Sequence, residues 1–398
     1  MNIPFYKPSI TDDEIHEVID TLRSAWLTTG PKTKQFEKEF SAYMGHSYSL
    51  AVNSCTAALH LALEAVGLKE NQTVVVPSMT FAATAEVVRY FNARPLLVDC
   101  REDDFNIDVD DVERRIEDAL KKGEDVAAII PVHVGGQVGD MTGIMRLADN
   151  YNLRVIEDAA HCCPAYYRDD TTDVWKQVGS VGEISCYSFY ANKTITTGEG
   201  GMACTNDREL IERMQIMSLH GISRDAWKRF SGDGSWYYEI IAPGFKYNLT
   251  DVASSIGLHQ LRRADALHRM RTSRAELYTE LLKGVDEIIP PFQKENRIHS
   301  WHLYVIRLRL SKLSIDRGEF ITKLKEKGIG CSVHWLPLHM HPYYRDLYGY
   351  VPEDIPVAAS LYNEIISLPL YPDMTDEEVH YVVDSIRDVV AGNRNAGL

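Results

Sequence analysis

From about residue 50 onward the chain alternates short, continuously apolar runs with stretches whose apolar residues recur every three or four positions. The runs are TVVVP, RPLLVDC, VAAIIPV, LRVIEDAA and EISCYSF; between them lie TAEVVRYF, VDDVERRIEDALKK and GIMRLADNY. A strand that is apolar on both faces needs cover on both, and crossover helices supply it while returning the chain to the same end of a sheet. The alternation therefore predicts an α/β domain built on a mostly parallel central sheet. Ahead of it, Thr11-Asp12-Asp13-Glu14 has capping-box spacing, and Ile15, Val18, Ile19 and Leu22 share one helix face, so a helix starts there. A second amphipathic segment follows LTTGPKT and puts Phe36, Phe40 and Tyr43 on one side.

Near residue 250 the rhythm changes. TDVASSIGLHQLRRADALHRMRTSRAELYTELL reads as one helix of about 30 residues, followed by Pro290-Pro291. It predicts a spine joining an N-terminal arm and large domain, residues 1–250, to a smaller domain, residues 251–398. In the latter, WHLYVIRLRL alternates as a strand, GEFITKLKEKG is helical and CSVHWLP is a strand. A capping box at Thr375 and Glu378 then precedes Val379, Val382, Val383 and Ile386, which makes this part α+β. A chain of 398 residues exceeds what one core organises, which agrees with two domains.

Composition narrows the class. Apolar residues at 45% and charged residues at 25% are globular values, and no low-complexity tract interrupts them. The start, MNIPFYKPSITDDEIHEV, lacks a basic region followed by an apolar stretch, and no run of about 18 apolar residues occurs, so neither export nor membrane insertion is expected. Seven cysteines, an odd count without a CxxC pair, fit reduced thiols in the cytoplasm. A net charge of -15 argues against a nucleic-acid partner; an anionic ligand would have to be met by local donors such as backbone amides and helix N-termini.

Five stretches carry candidate chemistry. In YSFYANKTITTGEGG, Lys193 stands between aromatic and small polar residues and a turn with Gly198, Gly200 and Gly201. It is either a solvated lysine at a strand end or a nucleophile, which needs a depressed pKa to form a Schiff base. Ser188, five residues upstream, could point a hydroxyl at a phosphate. VIEDAAHCC ends an apolar strand in Glu157 and Asp158, with His161 close behind; in open α/β sheets ligands bind beyond the carboxyl ends of strands, so Asp158 is placed either to cap the next turn or to pair with a protonated ring nitrogen. VNSCTAALHLALEA opens a helix in Ser54, Cys55 and Thr56, an ordinary N-cap or a phosphate seat. In PSMTFAATAEV, Phe81 packs in the core or stacks on a planar cofactor. In GFKYNLTDVASSIGLHQL, Thr250 or Asp251 caps the long helix and leaves Asn248 spare. Nicotinamide and P-loop fingerprints are absent, and His334, His339 and His341 in HWLPLHMHPYY match no metal-ligand spacing, so no metal is expected.

These stretches, with IPFYKPSI, WLTTGP, PVHVGGQVGDM and GIGCSVHWLPLH, resemble in order and spacing the DegT/DnrJ/StrS-type sugar-nucleotide aminotransferases, pyridoxal 5'-phosphate enzymes of fold type I. The resemblance spans nearly the whole chain. It implies that Lys193 binds the cofactor covalently and moves the substrate proton, with Asp158 as partner of the pyridine nitrogen. It further implies that Phe81 stacks on the ring, that His161 borders its phenolic side, and that Cys55, Thr56 and Ser188 meet the phosphate. Cys55 stands where glycine is frequent, so its backbone N–H rather than its thiol is expected to act. Asn248 is implied to reach the phosphate of a neighbouring subunit, hence a homodimer with shared sites. Trp26, Thr28, Thr29, Arg229 and His334 are the expected substrate contacts. The expected reaction moves an amino group from glutamate to a 4-keto nucleotide-linked deoxysugar, for polysaccharide, lipopolysaccharide or glycan precursors. The alternatives are a 3-keto sugar, another pyridoxal phosphate reaction, or a cofactor-binding sensor without turnover.

Overall fold

In the computed structural model, residues 1–223 and 238–395 are described. Helices α1 (Asp12–Ser24) and α2 (Pro31–Met44) precede β1 (Tyr48–Val52), α3 (Cys55–Ala65), β2 (Thr73–Pro77), α4 (Ala82–Arg89), β3 (Arg94–Val98), α5 (Val109–Lys121) and β4 (Val126–Ile129). Then come α6 (Met141–Tyr151), β5 (Arg154–Asp158), β6 (Tyr166–Arg168), β7 (Trp175–Gln177), β8 (Ile184–Ser188), β9 (Gly201–Thr205) and α7 (Arg208–Met217). The seven-stranded sheet runs β1-β9-β8-β5-β4-β2-β3. Strands β3, β2, β4, β5 and β8 pair in parallel, and β9 lies antiparallel to both its neighbours. The mostly parallel sheet is as expected, and all five apolar runs are strands in it.

Side-chain alternation splits the core into two layers. Val74 and Val76 of β2 face the layer of α3 and α4, whereas Val75 faces that of α2, α5 and α6. Helix starts are fixed by side chains: Ser54 Oγ accepts from Ala57 N–H at 3.0 Å, and the carboxylates of Asp108, Asp140 and Asp207 cap α5, α6 and α7. Helix α3 is buried almost throughout because it lies flat against the sheet centre; Leu59, Leu61 and Leu63 are each at most 1% exposed.

The long helix is two. Helices α8 (Asp251–Arg262) and α9 (Ala264–Leu281) meet at Arg263, whose backbone (φ -102, ψ 2) leaves helical geometry. Its guanidinium bonds Glu14 Oε1 at 2.8 Å and Ser9 Oγ at 3.1 Å, and the bend lets α8 pack on α1 and α2 while α9 packs on the C-terminal helix. The rest comprises β10 (Ile288–Ile289), β11 (Arg297–Ile298), β12 (Tyr304–Leu308), α10 (Arg317–Glu326), α11 (Pro342–Tyr348), α12 (Pro356–Tyr362), β13 (Ile365–Leu368) and α13 (Asp376–Ala391). Strands β10, β12 and β13 form an antiparallel sheet over the third core cluster. CSVHWLP is no strand: it contributes one bridge, Ser332 to Ser367, and IISL takes the sheet position instead.

A cut at residue 250 does not follow the packing. Ile3 sits in the small-domain core, and α11 and α12 return to the large domain, where Asp99 accepts from the N–H groups of Val357 and Ala358 at 2.9 Å each. Helix α1 also departs from its pattern. Glu14 and Thr21 are the buried residues, bonded to Gln260 and Ser255, while Ile15, Ile19 and Leu22 are 47%, 37% and 53% exposed. Periodicity found the helix; its buried side is the polar one, because α8 offers polar partners there.

Candidate functional site

A cavity of about 370 Å³ lies beyond the carboxyl ends of β2, β4, β5 and β8, where Phe81, Val132, Asp158 and Ser188 line it. Helix α3 enters it N-terminus first, with Ser54, Cys55 and Thr56 on the wall. Ser54 Oγ satisfies the N–H of Ala57, so the amides of Cys55 and Thr56 remain the ones free to meet an anion. Gly201 makes this junction possible: a Cβ there would stand 2.5 Å from the Ser54 carbonyl carbon and 2.6 Å from Cys55 N. The close approach at this glycine is thus to backbone, while Gly198 serves the turn through a φ of +82°. Gly201→Ala is expected to push β9 from α3, costing about 1–3 kcal/mol in denaturant titration and weakening phosphate-ester binding.

Strand alternation separates the two acids of VIEDAAH. Glu157 points away from the cavity, fully buried. Burial alone would raise its carboxyl, but His133 Nε2 at 3.1 Å and the N–H groups of Gly179 and Gly182 at 2.8 and 2.9 Å outweigh this and hold it below its ordinary value. Asp158 points into the cavity. Thr84 Oγ1 donates to its Oδ2 at 2.9 Å, Ala160 N–H donates to its Oδ1 at 3.2 Å, and Thr80 bonds Thr84 in turn at 2.8 Å. Burial dominates and raises the carboxyl. A buried carboxylate held in this way, with no salt-bridge partner among the described residues, is suited to a cationic heterocycle.

Lys193 lines the same cavity and a smaller one of about 10 Å³ behind it, room for one water. Burial pushes its ammonium down to about 8, against weaker opposing pulls from Cys55 and Asp158. The neutral amine is the nucleophile, so the sign is direct: attachment of an aldehyde to the apoprotein is expected to speed up with pH until about 8 and then level off, where an ordinary lysine would keep gaining to about 10.4. Stopped-flow absorbance across pH 6–10 measures this.

His161 accepts the N–H of Gly135 at Nδ1, 3.1 Å away. A backbone amide only donates, so the neutral ring carries its proton on Nε2 and presents a donor. Burial, and then the positive charge of Lys193, keeps the ring neutral. Trp335 stacks on it at 5.3 Å, a partner no local pattern indicated. His334 also lines the cavity, its Nδ1 2.8 Å from Ser367 Oγ and its ring stacked on Phe5. Phe81 is 61% exposed, which excludes core packing and leaves its ring at the cavity wall. Thr80, Thr84, Tyr190, Asn192 and His302 also line the wall; of these only the Thr80–Thr84 spacing at the start of α4 carries a sequence signal.

Other expected contacts stand elsewhere in the chain. Thr29 and Asn248 are joined by a 2.7 Å hydrogen bond and line a separate cavity of about 480 Å³. Trp26 is 43% exposed, with Nε1 donating to Thr29 O, and Thr28 O accepts from Asp251 N–H. The reason is an anchor: the Asp251 carboxylate accepts from Gly30, Lys32 and Thr33 N–H at 2.7, 3.1 and 2.9 Å, tying the α1–α2 connection to α8. Arg229 lies outside the described residues. Among the described residues no cluster of three His, Cys, Asp or Glu side chains could hold a metal; His339 and His341 bond Ser78 Oγ and Leu336 O.

The residues fit pyridoxal 5'-phosphate: an amide cradle for its phosphate, a buried acid for its ring nitrogen, an imidazole donor and an amine of depressed pKa. The pattern that defines the DegT/DnrJ/EryC1/StrS aminotransferases matches residues 8–387. The uncharacterized protein MJ1066 of Methanocaldococcus jannaschii is 45% identical over 98% of both chains. The spore coat polysaccharide biosynthesis protein SpsC of Bacillus subtilis is 42% identical over 98% of this chain and 97% of its own. Among solved structures, the putative sugar aminotransferase Spr1654 of Streptococcus pneumoniae superposes in both PMP and PLP forms with a TM-score of 0.88, 33% identity and 98% of each chain in the PMP form. Cavity, fold and likeness agree, and the chain belongs to the DegT/DnrJ/EryC1/StrS aminotransferase family, a pyridoxal phosphate-dependent transaminase.

Proposed function

We propose that the enzyme moves an amino group from glutamate to the 4-keto carbon of a nucleotide-linked deoxysugar. The observation that carries the reading is the meeting of Lys193, Asp158 and the N-terminus of α3 in one cavity of about 370 Å³, large enough for a cofactor and a sugar ring. Pyridoxal phosphate, when bound, supplies the electron sink and carries the amino group between the two substrates. Cys55 and Thr56 amides with the Ser188 hydroxyl would hold its phosphate, Phe81 would flank the ring, and His161 would offer its Nε2 proton to the phenolic oxygen. Asp158 keeps the ring nitrogen protonated. Lys193 Nζ would hold the cofactor and, as the free amine, would carry the proton away from the donor carbon and onto the acceptor carbon.

A lysine at position 193, rather than the histidine of family members that eliminate a hydroxyl, supports amino transfer. The name of the Bacillus subtilis relative supports a product destined for a surface polysaccharide, with lipopolysaccharide or another glycan as related fates. A homodimer with shared sites is supported by the uncovered apolar strip of α1 and by Thr29 and Asn248, which line a cavity separate from that of Lys193. In such a dimer Asn248, Trp26, Thr28 and Thr29 serve the partner's site, while His334 serves its own. Seven free cysteines, six of them buried, support a cytoplasmic enzyme, and no helix among the described residues is long and apolar enough to cross a membrane.

The test is incubation of the holoenzyme with glutamate and a panel of 4-keto and 3-keto nucleotide sugars, with mass analysis of products. An amino sugar formed from the 4-keto members with release of 2-oxoglutarate bears the reading out; amination of the 3-keto members alone, or of none, defeats it.

A further inference from the structure

Residues 299–303, which lead into β12, are clamped from several sides. Ser300 N–H donates to Gly136 O at 2.8 Å and Leu303 N–H to Gly135 O at 3.0 Å. Trp301 N–H donates to His299 Nδ1 at 2.8 Å, and the Arg271 guanidinium holds Trp301 O at 3.3 Å and Leu370 O at 3.0 Å. Between these ties Trp301 adopts a φ of +52°, left-handed geometry that a bulky side chain enters only when its surroundings enforce it.

The clamped backbone presents His302. Its ring is 4% exposed, lines the Lys193 cavity and lies 4.4 Å from the ring of His161. Among the described residues neither ring nitrogen has a hydrogen-bond partner, and Nδ1 is buried without one. Buried polar atoms in native proteins are paired, and each exception calls for an explanation. His302 and Trp335 both pack against the His161 ring, at 4.4 and 5.3 Å, so His302 borders the cavity on the side of His161. Burial, followed by the positive charge of Lys193, keeps the imidazole neutral. A neutral ring has one donor and one acceptor, and a hydroxyl can engage either of them, whereas a carboxylate can use only the donor.

We propose that His302 is a substrate-contacting residue that hydrogen-bonds an oxygen of the amino-accepting sugar and sets specificity for it, with Arg271 and the Gly135–Gly136 turn as positioning groups. This rests on the sugar reading above.

The experiment measures binding of a 4-keto nucleotide sugar to the holoenzyme by calorimetry, and separately the rate at which glutamate converts the cofactor absorbance, in wild type, H302F and H302Q. H302F keeps a ring but no polar atom; loss of one neutral hydrogen bond is expected to weaken sugar binding about tenfold, with partial recovery in H302Q. The loss is expected to be at least about fivefold larger for the sugar than for the glutamate step, a split that a general structural defect would not produce. Equal losses in both, or unchanged sugar binding in H302F, overturn the assignment. Failure of the wild-type enzyme to bind any such sugar overturns the functional reading instead, and the two failures are distinguishable.

Discussion

Lys193→Ala is expected to lower transamination by about 10⁴-fold or more while leaving the chain folded. The amine is influenced by Cys55, Asp158 and Cys162 in a site where burial already disfavours its charged form, so its removal deletes no ion pair on which folding depends. Borohydride reduction of the wild-type holoenzyme is expected to leave a pyridoxyl group on the peptide that contains Lys193, and the variant to gain none. If the mark appears on another lysine, or the variant retains more than a hundredth of the activity, Lys193 is not the nucleophile. A small primary amine in the buffer restores part of the rate if the missing element is the base itself, and restores nothing if the defect is in folding.

Asp158→Asn gives the second-largest effect. A carboxylate about 4 Å from a protonated ring nitrogen, at an effective dielectric near 20, gains roughly 4 kcal/mol, which corresponds to about 10³ in rate before desolvation is subtracted. Asparagine keeps the shape, and its carbonyl still accepts from Ala160 N–H while the amide turns to Thr84. The apoprotein supplies an independent readout. Burial raises the carboxyl of Asp158, so its ionised form opposes folding at neutral pH; neutralising it is expected to leave the apoprotein melting temperature unchanged or higher. A fall in kcat without a fall in apoprotein stability separates charge from scaffold, whereas parallel losses would make Asp158 a structural residue.

The sequence reading and the structure agree where a residue's surroundings are local. Capping boxes at Thr11 and Thr375, the N-cap at Ser54 and the apolar strands all follow from short-range rules, and all are present. Lys193, Asp158, His161, Ser188, Phe81, Cys55 and Thr56, taken from four separate stretches, line one cavity because strand ends and helix starts converge at the same edge of a parallel sheet. What was missed has no local signature. Trp335 and His302 belong to the small domain and reach the site only because that domain packs over the sheet end. Helix α1 shows the opposite failure: its apolar period is plain, yet its polar side faces inward, since the burial of a helix face depends on which neighbour meets it.

By itself the chain determined its element types, the mostly parallel sheet and the residues able to carry imine chemistry, because periodicity, capping and side-chain reactivity are properties of a few neighbouring residues. Tertiary structure alone decided that Asp158 enters the cavity while Glu157 turns away to His133, that burial brings Lys193 down to about 8, and that the long helix breaks at Arg263. Those outcomes depend on desolvation and on partners 24 to 249 residues away, and neither is encoded at the position they change.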